Sequence, residues 1–135
     1  MNLNILLIED NEQNRYLATF LLERRGHHVV TATTGAEGVA TAPAMRPDII
    51  LLDIQLPGMD GYDVARSLRQ IDFLGQTPIV AVTSYAMPGD REKCFAAGCD
   101  GYVEKPISPE TFVDEVEAFH RAGIAGVAGA ARGAG

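Results

Sequence analysis

The sequence is poor in cations. Eleven Lys and Arg stand against 18 Asp and Glu in 135 residues, a formal charge of −7 with a pI near 4.8. Non-specific nucleic-acid binding needs clustered Lys and Arg to displace counterions from phosphates, so that class is excluded. Cysteine is equally scarce, and Cys94 and Cys99 lack both the spacing and the partner Cys or His of a metal site. They fall within or just after an expected helix and read as reduced, small core or near-surface residues, with a disulfide or redox role as the alternative. No apolar segment reaches the length that spans a membrane. Only Met1 to Asn4 precede the first apolar run, too little for a signal peptide, and a cytoplasmic protein is expected. The length fits one domain with a sizeable core, expected over residues 1–121. Residues 122–135 hold only Gly, Ala, Val, Ile and one Arg, and are expected to be a disordered or frayed tail.

What the sequence does contain is a series of short apolar runs that end in polar residues. Ile49, Ile50, Leu51 and Leu52 run into Asp53, then into Pro57, Gly58, Asp60 and Gly61. So short a run, bounded by turn residues, reads as a strand buried on both faces of a parallel sheet. Similar strands are expected at residues 3–8, ending at Glu9, Asp10 and Asn11, at 29–32, and at 79–82, ending in Thr83 and Ser84. A fifth, less apolar and nearer a sheet edge, is expected at 100–104 and leads into Lys105 and Pro106.

Helical spacing separates them. Tyr16, Leu17, Phe20 and Leu21 mark a helix over 12–25 with Gly26 as its stop, and Thr34 with Glu37 forms a capping box for a second helix through Ala44. Val64, Ala65, Leu68 and Ile71 define a third. A fourth, at 88–97, has a thin apolar stripe and closes at Gly98. Ser108 as N-cap with Pro109 at the first position predicts the last, whose Phe112, Val113, Val116 and Phe119 face the sheet. Five strands alternating with five helices give an α/β, doubly wound parallel sheet. Right-handed crossovers then bring Glu9, Asp10, Asp53, Thr83 and Lys105 to the one edge where such sheets bind ligands.

Each of these residues has a plain reading when taken singly. Glu9 or Asp10 reads as a helix N-cap or first-turn acid, Thr83 as a strand-end hydroxyl bonded to backbone, and Lys105 as a solvated cation. Together they differ, because three carboxylates in one crevice repel each other and need positive charge. One lysine leaves a deficit that suits a divalent cation with oxygen ligands, Mg²⁺ above others. An aspartate beside such a metal can serve as a nucleophile toward phosphorus, with Lys105 neutralising the phosphoryl oxygens and Thr83 donating a hydrogen bond.

Glu9-Asp10-Asn11, Asp53 followed by Pro57-Gly58-Met59-Asp60-Gly61, Thr83-Ser84 and Lys105-Pro106 resemble, in order, the signatures of receiver domains of two-component response regulators. The resemblance extends from Leu3 to about Arg121 and is nearest to single-domain receivers and the receivers of hybrid kinases. It implies a flavodoxin-like fold of strand order 2-1-3-4-5, the order found in chemotaxis members of this family. It implies that Asp53 accepts a phosphoryl group from a phosphohistidine on a sensor histidine kinase or histidine phosphotransfer protein. Glu9 and Asp10 would be the acidic pair for Mg²⁺, joined by Asp53 and the Gln55 carbonyl, with Asp10 the direct ligand of the pair. Lys105 would pair with Asp53 and then with the phosphoryl group, across a cis bond to Pro106. Thr83 and Tyr102 would be the switch pair, relaying the change to a downstream protein target through the face of helix four, strand five and helix five. Such a protein catalyses its own phosphorylation and dephosphorylation without being a conventional turnover enzyme.

Two rival readings use the same fold. A Mg²⁺-dependent aspartyl-phosphate phosphatase would want a second acid two residues after the nucleophile, where this chain has Gln55. A flavodoxin-like cofactor carrier would want Ser, Thr and Gly after the first strand, where Glu9 and Asp10 would repel a phosphate. His27, His28 and His120 read as surface residues at element ends, outside this chemistry.

Overall fold

Among the described residues, alternating apolar runs and amphipathic stretches produce ten elements in strict order: β1 (Asn4–Ile8), α1 (Glu12–Arg24), β2 (His28–Ala32), α2 (Gly35–Met45), β3 (Ile49–Asp53), α3 (Gly61–Arg69), β4 (Ile79–Thr83), α4 (Asp90–Ala96), β5 (Gly101–Glu104) and α5 (Phe112–Ile124). The structure is a computed structural model that describes residues 2–71, 74–84 and 89–124. All strand pairs are parallel, in the order β2-β1-β3-β4-β5. This is the doubly wound, flavodoxin-like arrangement, with β5 at an edge as its weaker apolar character implied.

The continuous apolar runs are explained by a sheet covered on both faces. Ile5, Leu7, Ile49, Leu51, Val80 and Val82 pack with Ala18 and Leu22 of α1 and with Phe112, Val113 and Val116 of α5. The alternate residues Leu6, Ile8, Ile50, Leu52, Ile79 and Ala81 pack with Ala42 of α2, with Val64, Ala65 and Leu68 of α3, and with Cys94 of α4. Burying each of the Val, Leu, Ile and Phe side chains contributes about 1.5–3 kcal/mol, and a one-residue slip of any strand would exchange its two faces, so the register is tightly held.

The element ends show where local chemistry differs from pattern. Thr34 caps α2 as expected, its Oγ1 accepting from the Glu37 N–H at 3.1 Å; the Glu37 carboxylate reaches back one residue further, to the Thr33 N–H at 2.8 Å. Asp60 caps α3, so Gly61 belongs to the helix and not to the preceding turn. The last helix begins at Phe112, not at Pro109. The Ser108 hydroxyl donates to the Glu110 carboxylate at 2.9 Å, and the Ser108 carbonyl takes a tight i→i+3 bond from Thr111 N–H at 3.2 Å before the Phe112 bond opens α5. α5 then continues to Ile124, three residues into the stretch read as tail, and the rest of that stretch lies outside the described residues. α4 is shorter than expected, and Pro88, its expected start, also lies outside the described residues.

Candidate functional site

Strand register delivers the polar residues to one place. Ile8 pairs with Leu52 and Asp53 with Val82, so Glu9 and Asp53 arrive level at the carboxyl edge. Thr83 pairs with Glu104, which puts Lys105 one residue beyond. Glu9 continues the line of β1, its N–H donating to the Ala32 carbonyl at 2.9 Å. Asn11, and neither Glu9 nor Asp10, caps α1, its Oδ1 accepting from the Asn14 N–H at 2.9 Å. The two acids are thereby released from duty at the helix end.

Lys105 bridges two carboxylates: its Nζ lies 2.8 Å from Glu9 Oε1 and 3.2 Å from Asp53 Oδ2. The other oxygens are held by backbone, with the Gln55 N–H donating to Asp53 Oδ1 at 2.9 Å and the Asn11 N–H to Glu9 Oε2 at 3.1 Å. The Glu9 and Asp53 side chains are 5% and 3% exposed. Burial pushes the Glu9 carboxyl up to about 7, the neighbouring Asp53 adds to the rise, and Lys105 and the Asn11 N–H oppose it. Burial by itself would lower Lys105, but the two carboxylates outweigh it and hold its ammonium above the usual lysine range. Glu9 is therefore near its midpoint at neutral pH, in a site with more acid than one cation neutralises.

Asp10 is exposed, and one ligand oxygen from each of Glu9, Asp10 and Asp53 lies within 4.8 Å of the others, the one such cluster among the described residues. Asp10 opens onto a depression of about 390 Å³ bounded also by Gln55, Pro57, Asp60 and Tyr62. These donors are all hard oxygens, with space for water beside them, and they fit a Mg²⁺ ion and not a soft thiolate-seeking metal. Thr83 is buried at the end of β4, its carbonyl accepting from the Lys105 N–H at 2.8 Å. Tyr102 is half-buried on β5 against the cluster that contains Cys94. The Lys105–Pro106 peptide is cis, as the resemblance implies.

Three features lie beyond what the sequence pattern announces. Arg15 folds back from α1, its Nη1 donating to the carbonyls of Glu9 at 3.2 Å and Asp10 at 3.3 Å, and so braces the acidic loop. The Gln55 side chain, beyond its backbone, accepts from Ser84 through both N–H (3.1 Å) and Oγ (2.5 Å), tying the β3 loop to the end of β4. His27 and His120 are buried, where surface positions were expected; only His28 is exposed. His27 is buried because its Nδ1 accepts from the Leu3 N–H at 3.0 Å while its Nε2 meets Glu117 at 2.7 Å, partners 24 and 90 residues away that no local pattern signals. It sits at the amino end of β1, away from the crevice.

Comparison with known proteins agrees with this fold. Residues 5–117 match the family model described as the response regulator receiver domain. The polar-differentiation response regulator DivK of Brucella anthropi is 38% identical over 116 residues, which are 86% of this chain and 94% of that protein. The chemotaxis response regulator CheY4 of Vibrio cholerae superposes with a TM-score of 0.84 at 28% identity, covering 88% of this chain and 99% of its own. The receiver domain of a sensor histidine kinase from Pseudomonas aeruginosa, solved with a magnesium ion coordinated in its active site cleft, superposes with a TM-score of 0.81 at 33% identity, covering 89% and 98%. The chain thus belongs to the receiver-domain family of two-component response regulators.

Proposed function

We propose that the chain is a phosphorylation-activated switch in which Asp53 accepts a phosphoryl group from a phosphohistidine on a sensor histidine kinase or phosphotransfer protein. The observation that carries this reading is the Asp53 carboxylate itself, buried yet held by Lys105 Nζ and the Gln55 N–H within reach of Glu9 and Asp10. An Asp53 oxygen attacks phosphorus as the N–P bond of the donor breaks, and the imidazole leaves with the electron pair of that bond. Lys105 stays to neutralise the new phosphoryl oxygens. Asp10, Asp53 and the Gln55 carbonyl would hold Mg²⁺, with Glu9, already bound to Lys105, in support. When bound, that ion supplies positive charge for the transferring phosphoryl group.

Phosphorylation adds roughly −1.5 to −2 charges at one point. In this reading the Thr83 hydroxyl turns toward them, Tyr102 moves into the space behind it, and the α4–β5–α5 face changes shape for a downstream protein. The named relatives, a differentiation regulator, a chemotaxis regulator and a kinase receiver, support a signalling role of this kind. Incubation with Mg²⁺ and a small acyl phosphate is expected to give one alkali-labile phosphoryl adduct on Asp53, read by intact mass and peptide mapping. Normal phosphoryl uptake by Asp53→Asn would sink the assignment, continuous release of phosphate would favour a phosphatase, and a bound yellow flavin would favour a carrier.

A further inference from the structure

The two cysteines form a pair beneath the α4–β5 face that the phosphorylation chemistry does not use. α4 ends in a Schellman arrangement: Gly98 takes φ +110°, its N–H donates to the Phe95 carbonyl at 3.0 Å, and the Cys99 N–H donates to the Cys94 carbonyl at 3.0 Å. That arrangement brings together the side chains on either side of the cap, usually as an apolar contact. Here both are cysteines, free, fully buried and members of one packed cluster. Tyr62 of α3 packs against the same cluster.

The pair is chemically unequal. The Cys99 thiol, more strongly than burial opposes it, holds Cys94 below the usual thiol range, and Tyr62 adds to this. Tyr62 is itself pushed up to about 12, chiefly by burial, so it stays protonated as a donor. Cys99, donating to Cys94 and buried, is pushed well up. Of the two, Cys94 is the thiol more readily ionised. Access comes from α4 itself, a seven-residue helix with no side-chain cap and Cys94 as its one buried residue, which has little packing to hold it against local opening.

We infer that Cys94 and Cys99 form a reversible intramolecular disulfide, by exchange with a low-molecular-weight disulfide of the glutathione class, that staples the carboxyl end of α4 and restrains the α4–β5 surface. The Cys94 thiolate attacks one sulfur of the small disulfide and releases one small thiolate, leaving a mixed disulfide. Cys99 then loses its proton and attacks Cys94 Sγ, which releases the second thiolate. Two electrons and two protons leave the protein, and the small disulfide becomes two thiols. Asp53 takes no part, so this device stands or falls apart from the phosphorylation reading.

The full chain is to be equilibrated in buffers of rising oxidised-to-reduced glutathione ratio, quenched in acid, alkylated, and mapped by mass spectrometry. The expected product is a peptide linked between Cys94 and Cys99, lighter by two hydrogens and restored by dithiothreitol. Cys99→Ser is expected to arrest as a mixed disulfide on Cys94 at least about tenfold faster than Cys94→Ser does on Cys99, since the attacking thiolate sets the rate. Substitution of a buried cysteine can unfold the domain, so wild type carries the decisive measurement and circular dichroism accompanies each variant. Recovery of both thiols free, after the acid quench, from protein held folded under excess oxidised glutathione would overturn the inference, as would linkage only between separate chains.

Discussion

Lys105 is the residue on which the crevice balances. Its single charge faces two buried carboxylates, and together with the Asn11 N–H it keeps Glu9 from rising further. Lys105→Ala is expected to raise Glu9 above about 7, because burial and Asp53 remain while the cation is gone. Breaking a buried ion pair from one side costs about 3–5 kcal/mol, but Glu9 can protonate in response, so the loss expected in urea unfolding at pH 7 is smaller, about 1–3 kcal/mol. A carboxyl titration by NMR reads the shift directly; a Glu9 midpoint unchanged in Lys105→Ala would show that the ammonium does not set it. Phosphoryl uptake should fall with the same substitution, and Lys105→Arg, which keeps the charge with a different reach, separates charge from geometry.

At the level of elements, the anchor between α3 and the turns before β4 and β5 is Arg69, at the end of α3. Its guanidinium donates to the carbonyls of Gly98 (2.8 Å), Leu74 (2.9 Å) and Thr77 (2.6 Å) and pairs with the Asp100 carboxylate, which also accepts from the Ile79 N–H. One side chain thereby ties the turns before β4 and β5 together, and Arg69→Met is expected to cost about 3–5 kcal/mol in urea unfolding, as when one partner of a buried pair is removed. Gly61 does a similar job at the site. A Cβ there would lie 2.5 Å from Ile54 Cα and 2.7 Å from its carbonyl oxygen, so Gly61→Ala must push α3 off the β3 loop that carries Gln55. About 1–3 kcal/mol is the expected loss, with weaker Mg²⁺ binding by calorimetry. These contacts also mark what the chain could reveal unaided. The strands and the strand-end residues Glu9, Asp53, Thr83 and Lys105 were legible because each apolar run stops at a polar residue. Strand order was not, since periodicity carries no information on neighbours, and it came only through the resemblance. Arg69, the Gln55–Ser84 tie and buried His27 were invisible because their partners are distant in sequence. The first turn of α5 differs from its pattern because the Ser108 hydroxyl goes to Glu110 and not to the backbone.

For the whole molecule, the acid groups gathered at the strand ends carry a cost in the fold that a bound cation would reverse. Glu9 has a folded value of about 7 against 4.5 when free, so between those values the folded state binds more protons than the unfolded chain. Its contribution to stability is fully present below pH 4.5 and is lost as the pH rises toward 7. Magnesium acts in the opposite direction. It needs the carboxylates ionised, so its binding tightens over the same interval, and a ligand that binds only the folded state adds RT ln(1 + [L]/Kd), about 2.7 kcal/mol at a hundredfold excess over Kd. Urea unfolding without metal should therefore show this group's share of stability declining from pH 4.5 to 7, and Glu9→Gln should remove that decline. With Mg²⁺ the gain in stability should grow from pH 5 to pH 8. A metal-induced gain independent of pH across that range would mean that the ion binds away from Glu9. Such a result would also separate the cation site from Asp53 and Lys105, whose ion pair would then stand without it.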